Sequence, residues 1–234
     1  MSDNNNQSMN ESTSENIKDF GSTEIKNSKG NIHCLTIVGE IEGHTALPSG
    51  SKATKYEHVL PLLVSVEQDE NVDGLLIILN TMGGDVEAGL AMSELIASME
   101  KPTASIVLGG GHSIGVPLAV SAKRSFIAGS STMTIHPVRM SGMVIGVPQT
   151  YEYFRNMQDR ITTFVVENSN IRKEKFTELL MKTGEMANDV GSIVSGDDAV
   201  AYGLIDEKGG LRDALSYLYD EIEKVKNNKE ALKC

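Results

Sequence analysis

Cysteine is scarce: Cys34 and Cys234 are the only two in 234 residues. One sits in an apolar run and the other at the chain end. That excludes a disulfide framework and points to a reducing compartment. Long apolar runs are missing as well. None approaches the roughly 20 residues of a membrane-spanning helix, so no stable membrane insertion is expected. The N-terminus lacks the basic-then-apolar pattern of a secretory signal. Positive charge is in deficit, with 21 Lys+Arg against 32 Asp+Glu and a formal net charge of -11. Nucleic acid and anionic membrane surfaces are therefore poor partners. His33, His44 and His58 have no partners at metal-ligand spacing, so neither a metal site nor a cofactor is expected. The sequence reads as cytoplasmic.

What is present fits one α/β domain. Residues 1–30 are rich in Asn, Ser, Glu and Lys and are expected to be a disordered tail, because they offer too little apolar surface to offset ordering entropy. The domain is expected over 31–228, with a short tail at 229–234. Ile32 to Val38 predicts the first strand. Tyr56, Val59, Leu60, Leu63 and Val66 share a helical face, with Pro61 among them, so this helix either kinks or starts near Glu57. Gly74 to Leu79 is a continuous apolar run, as in a strand buried on both faces. Ala88, Met92, Leu95, Ile96 and Met99 form one helical stripe. The cycle repeats with a strand at 103–108 and a helix at 114–122. Short strands follow at 125–128 and 132–135, then a loop over 137–149. Tyr151 to Val165 predicts a long helix with a large aromatic stripe. Phe176 to Met181, Asp197 to Tyr202 and Leu211 to Val225 predict three more helices, with a last strand at 203–206. Alternating strands and helices argue for parallel pairing.

The chain is organised around Leu108-Gly109-Gly110-Gly111-His112-Ser113-Ile114-Gly115. Glycines flank one serine where an extended run turns into a helix. Such turns expose a nucleophile and aim backbone N–H groups at developing negative charge, although they also bind phosphates or simply turn corners. Asn80-Thr81-Met82-Gly83-Gly84 ends another strand just before a helix. Parallel strands would bring both turns to one edge, where one N–H from each could meet an oxyanion. Ser113 needs a base, and His136 stands at a strand end 23 residues later. A third group should orient the imidazole, and acidic residues at 189, 197 and 198 are the candidates.

These four stretches resemble the Clp protease proteolytic subunits, the ClpP family of the Clp/crotonase fold, and within it the translocation-enhancing branch. The resemblance runs from about Ile32 to Asp206. The family's Asn-Ser-Pro-Gly-Gly loop corresponds to Asn80–Gly84, and its Gly-x-Ala-Ala-Ser-Met-Gly turn to Gly109–Gly115. Its Met-Ile-His-Gln-Pro strand end corresponds to Thr134-Ile135-His136-Pro137. Its Ala-x-x-Tyr-Gly-Leu-Val-Asp ending corresponds to Ala199–Asp206. His112 replaces a small residue before the nucleophile, and Met82 replaces a proline.

The resemblance implies repeated β-α units with a long helix-containing handle. It implies Ser113 as nucleophile, His136 as general base, and the backbone amides of Gly84 and Ile114 as an oxyanion hole. Registering the chain on Tyr202-Gly203 puts the family's aspartate at Gly191. Asp189 is the nearest acid, reached by a two-residue insertion. The resemblance further implies a homo-oligomer of stacked, heptameric rings, with peptides or unfolded proteins as substrates and an AAA+ unfoldase as a partner. A link to protein export follows from the branch. The alternatives are a non-catalytic ring or adaptor subunit and, on the same fold, a crotonase-type acyl-CoA enzyme. A signal-peptide-peptidase-like enzyme would need a lysine base and a membrane anchor.

Overall fold

The apolar runs of the sequence become the central strands of a mixed sheet in a computed structural model, which describes residues 22–140, 145–184 and 190–231. The strands are β1 (Ser22–Asn27), β2 (Gly30–Glu42), β3 (Ala53–Lys55), β4 (Gly74–Gly84), β5 (Thr103–Gly111), β6 (Arg124–Ile127), β7 (Thr132–Ile135), β8 (Ser192–Ser195) and β9 (Glu207–Lys208). The helices are α1 (Tyr56–Gln68), α2 (Val86–Ser98), α3 (Gly115–Val120), α4 (Val147–Glu167), α5 (Lys173–Met181), α6 (Gly196–Ala201) and α7 (Leu211–Ala231).

The main path of the sheet runs β1-β2-β4-β5-β6-β9. β2, β4, β5, β6 and β9 pair in parallel, and β1 lies antiparallel on the β2 edge. Both faces are covered, which is why β4 and β5 read as continuous apolar runs rather than alternating ones. On one face Leu35, Ile37, Leu75, Ile77 and Leu79 pack with Leu63 of α1 and with Met92 and Ile96 of α2. On the other, Ile32, Cys34, Leu76, Ile106 and Phe126 pack against Ala214, Leu218 and Ile222 of α7. Each fully buried leucine or isoleucine contributes about 1.5–3 kcal/mol by leaving water.

Three features position the functional region. β4 runs past the apolar Gly74–Leu79 segment to include Asn80–Gly84, and the β4–β5 register shifts between Leu79 and Thr81, so Thr81 pairs with Gly111. β7 then branches from the end of β5 through Gly110↔Thr132. β8 adds to β7 antiparallel, with Ile135 opposite Ser192. The strand ends that carry the glycine turns and His136 therefore meet at one edge.

Some expectations need correction. The tail does not stay unstructured through residue 30: Ser22–Asn27 form β1, because Ile25 lands on the α7-side core and pairs with Ile32. Residues 1–21 lie outside the described ones. The region expected as a strand at 203–206 is a turn. Gly203 takes φ +75°, and the N–H groups of Leu204 and Ile205 donate to the Ala199 carbonyl. The ladder resumes only at Glu207. The closing helix continues to Ala231, past the expected boundary at 228. α1 starts at Tyr56 and accommodates Pro61 within it. Cys34 is a buried free thiol, and Cys234 lies outside the described residues.

Candidate active site

Ser113 is the one non-glycine residue with positive φ (57°) among the described residues. An L-residue in this left-handed region costs roughly 1–2 kcal/mol, so the surroundings must hold it there. They do so with backbone hydrogen bonds. The Ser113 N–H donates to the Thr134 carbonyl at 2.8 Å, and the His112 N–H donates to the Thr81 carbonyl at 3.1 Å. Gly115 N–H then donates to His112 O, and Val116 N–H to Ser113 O, which starts α3. Among these residues the Ile114 N–H is left without a protein acceptor. The side chain of Ser113 emerges between β4 and β7.

β4 delivers the second turn. The Gly83 N–H is taken by Thr81 Oγ1 at 3.0 Å, and the Asp85 N–H by the Ile41 carbonyl of β2 at 2.9 Å. Strand alternation turns the intervening Gly84 N–H to the opposite side, the side on which Ser113 stands. Gly83 lies directly on the serine: a Cβ there would be 2.6 Å from Ser113 Cβ. Asp85 caps α2 by accepting the Ala88 N–H, which fixes where the turn ends.

His136 follows β7 in extended backbone. Its Nδ1 is 2.8 Å from the Pro137 carbonyl oxygen. A carbonyl cannot donate, so Nδ1 carries the proton and Nε2 keeps its lone pair. His112, on the other side of Ser113, has its Nδ1 2.9 Å from Thr134 Oγ1. Burial, and secondarily the charge of His136, hold His112 below the usual histidine range. It is therefore a neutral polar neighbour at neutral pH.

Gly84, Ser113, Ile114 and His136 open into one cavity of about 120 Å³, whose apolar wall includes Val86, Ile161, Phe176 and Leu180. Four of the five residues singled out in the sequence thus converge. Asp189 lies outside the described residues. Asp197 and Asp198 are at the start of α6, where Asp197 pairs with Lys208 and Asp198 bonds Ser195. The residue opposite His136, one step beyond Ile135↔Ser192, is Gly191.

Sequence reasoning missed Thr134, whose carbonyl and hydroxyl hold both Ser113 and His112. It also missed Asn80, whose Oδ1 accepts the Gly110 N–H. A polar residue alternating with Met133 and Ile135 in β7 was the available signal for Thr134. Among the described residues no group of His, Cys, Asp or Glu could hold a metal ion, and no helix is long and apolar enough to cross a membrane.

A parallel sheet with helices on both faces, two glycine turns at one edge and a serine–histidine pair between them define an α/β fold of the ClpP type. The chain belongs to the Clp protease family, whose model matches residues 28–211. It is 57% identical over 211 residues to the translocation-enhancing protein TepA of Halalkalibacterium halodurans, covering 90% of this chain and 82% of that one. It is 26% identical over 157 residues to an ATP-dependent Clp protease proteolytic subunit of Streptococcus pyogenes, covering 64% and 75%. Among solved structures, a point mutant of ClpP1 from Listeria monocytogenes superposes with a TM-score of 0.61 at 22% identity, covering 78% of this chain and 94% of that one. That likeness bears on the fold.

Proposed function

We propose that this protein is a serine peptidase that cleaves peptides or unfolded proteins through an acyl-enzyme. The observation that carries the reading is the convergence of Ser113, His136, Gly84 and Ile114 on one cavity, with Ser113 held in a strained left-handed turn. Ser113 Oγ attacks the peptide carbonyl and His136 Nε2 takes its proton. The carbonyl oxygen becomes an oxyanion facing the N–H groups of Gly84 and Ile114. His136 then passes the proton to the leaving amine as the C–N bond breaks. A water, deprotonated by the same nitrogen, hydrolyses the ester in the second step. The apolar wall of the cavity receives a side chain of the substrate.

The membership of the family supports a wider proposal: a homo-oligomer of stacked rings in the cytoplasm, with an AAA+ unfoldase supplying chains. The likeness to a translocation-enhancing protein supports a role connected with export. The test is labelling of purified protein by a fluorophosphonate probe, located by mass spectrometry, beside Ser113→Ala and His136→Ala. Labelling at Ser113, lost in both variants, is the expected result. Absence of labelling in folded, assembled wild-type protein overturns the peptidase reading.

One observation favours a second reading, a non-catalytic ring or adaptor subunit. Ser113 Oγ shares no hydrogen bond with His136 among the described residues, and the imidazole is tied to Pro137 instead. Catalytic contacts often tighten only when substrate is bound. Under the second reading, Ser113→Ala leaves assembly and partner binding intact and removes nothing measurable.

A further inference from the structure

We infer that His136 is oriented by the backbone carbonyl of Pro137, and that the site works as a serine–histidine dyad without a carboxylate. The inference rests on the peptidase reading above only for its consequence in rate, and not for its geometry.

The position a third side chain would occupy is closed. β7 and β8 run antiparallel with Ile135 opposite Ser192, so Gly191 faces His136. Gly191 has φ +132°, and its N–H is committed to the Lys182 carbonyl at 2.8 Å. A Cβ there would collide with the Ile135 carbonyl oxygen and lie 2.8 Å from His136 Cβ. No side chain, acidic or otherwise, fits at this position without moving the strand that carries the base. The glycine is thus a consequence of how closely β8 approaches His136.

The acceptor that an aspartate would supply is already present. His136 Nδ1 donates to Pro137 O at 2.8 Å, within the normal range for such a bond. The sequence stiffens this contact from both sides. Proline fixes its own φ near −65° and restrains the preceding residue to extended backbone. Few torsions remain free between the imidazole and the oxygen that holds it. The carbonyl does the two geometric tasks of a triad carboxylate: it sets the tautomer and the ring orientation. It does not supply a full negative charge opposite the imidazolium, so the dyad gives weaker assistance than a charged triad. The other ionisable group beside the ring is His112, which is neutral and bonded to Thr134.

The test compares wild-type full-length protein with Asp189→Asn and Pro137→Gly, the last keeping the carbonyl but freeing its backbone. Nitrogen NMR of ¹⁵N-histidine-labelled protein, with His136 assigned by its loss in His136→Gln, reads the tautomer directly and needs no activity. Expected are a protonated Nδ1 in wild type, an unchanged signature in Asp189→Asn, and tautomer mixing in Pro137→Gly. Fluorophosphonate labelling of Ser113 should change less than about threefold in Asp189→Asn and fall about tenfold or more in Pro137→Gly. Loss of a triad carboxylate costs about 10⁴-fold in rate in the well-studied serine peptidases. The inference is overturned by a protonated Nε2 in wild type, by a changed His136 signature in Asp189→Asn, or by a labelling loss of about 10³-fold or more in that variant. If wild-type Ser113 does not label at all, the peptidase reading fails, and the tautomer measurement still decides this one.

Discussion

Gly83 and Ser113 occupy each other's space: a Cβ on Gly83 would lie 2.6 Å from Ser113 Cβ and 3.1 Å from its Oγ. Gly83 also has φ +94°. The missing side chain is therefore what lets the end of β4 reach the serine, and it brings the Gly84 N–H with it. Gly83→Ala should displace one turn relative to the other. Fluorophosphonate labelling of Ser113 is expected to fall by about 100-fold or more, while circular dichroism shows a folded protein. Unchanged labelling would mean that the two turns do not act together.

Ser113 itself should be a stability liability. A residue at φ 57° carries roughly 1–2 kcal/mol of strain that glycine does not. Ser113→Gly is expected to be more stable than Ser113→Ala by about 1 kcal/mol in urea unfolding, although both lose the nucleophile. Ser113→Ala keeps the strained backbone and gives the proper reference. Equal stability of the two variants would show that the turn is not strained.

Thr134 offers a way to separate the backbone clamp from the side-chain contact. Thr134→Val keeps the carbonyl that accepts the Ser113 N–H, but removes the hydroxyl 2.9 Å from His112 Nδ1. A half-buried imidazole nitrogen then lacks its partner, at a cost of about 1 kcal/mol in folding stability. Labelling at Ser113 should fall only several-fold, because the turn is still held. A loss as large as that of His136→Ala would mean that His112 takes part in the chemistry.

The parts legible from the sequence are those with local or composition-driven causes. Gly74–Leu79 announces a doubly buried strand because both of its faces are covered. The glycines around Ser113 announce a turn because the backbone there needs little bulk. β1 is not legible, since Thr23 and Ile25 form a strand only by pairing with β2 and resting on the α7-side core, contacts distant in sequence. Leu204 and Ile205 read as a strand because burial alone does not distinguish a ladder from a buried turn. The partner of His136 is the hardest to read. Family register points to Gly191, and that register agrees with the β7–β8 pairing, but nothing local in the sequence says that the two strands meet. Nor can spacing reveal that the Pro137 carbonyl reaches back to Nδ1, because that contact depends on rotamer and backbone rather than residue type.

His33 should shape the acid limb of stability. It is buried at 7% exposure, and its Nε2 has no hydrogen-bond partner. Burial pushes its pKa below the ordinary histidine value, and Glu24 across the β1–β2 pair offsets this in part. Above about pH 6.5 the side chain is neutral in both folded and unfolded chains, so it adds no pH dependence. As pH falls through that value the unfolded chain takes up its proton first, and folding stability declines. The decline from this residue ends once the folded state also protonates, at its lower pKa. His112 acts with the same sign, for the same first cause. His33→Leu replaces an unpartnered polar ring with an apolar group of similar breadth. It is expected to be neutral or stabilising by up to about 1 kcal/mol at about pH 7.5. It should also flatten the loss of stability between about pH 7 and 5.5. Urea unfolding at about pH 7.5, 6.5 and 5.5, for wild type and variant, measures both effects. Parallel curves for the two proteins would mean that His33 titrates alike in the folded and unfolded chains.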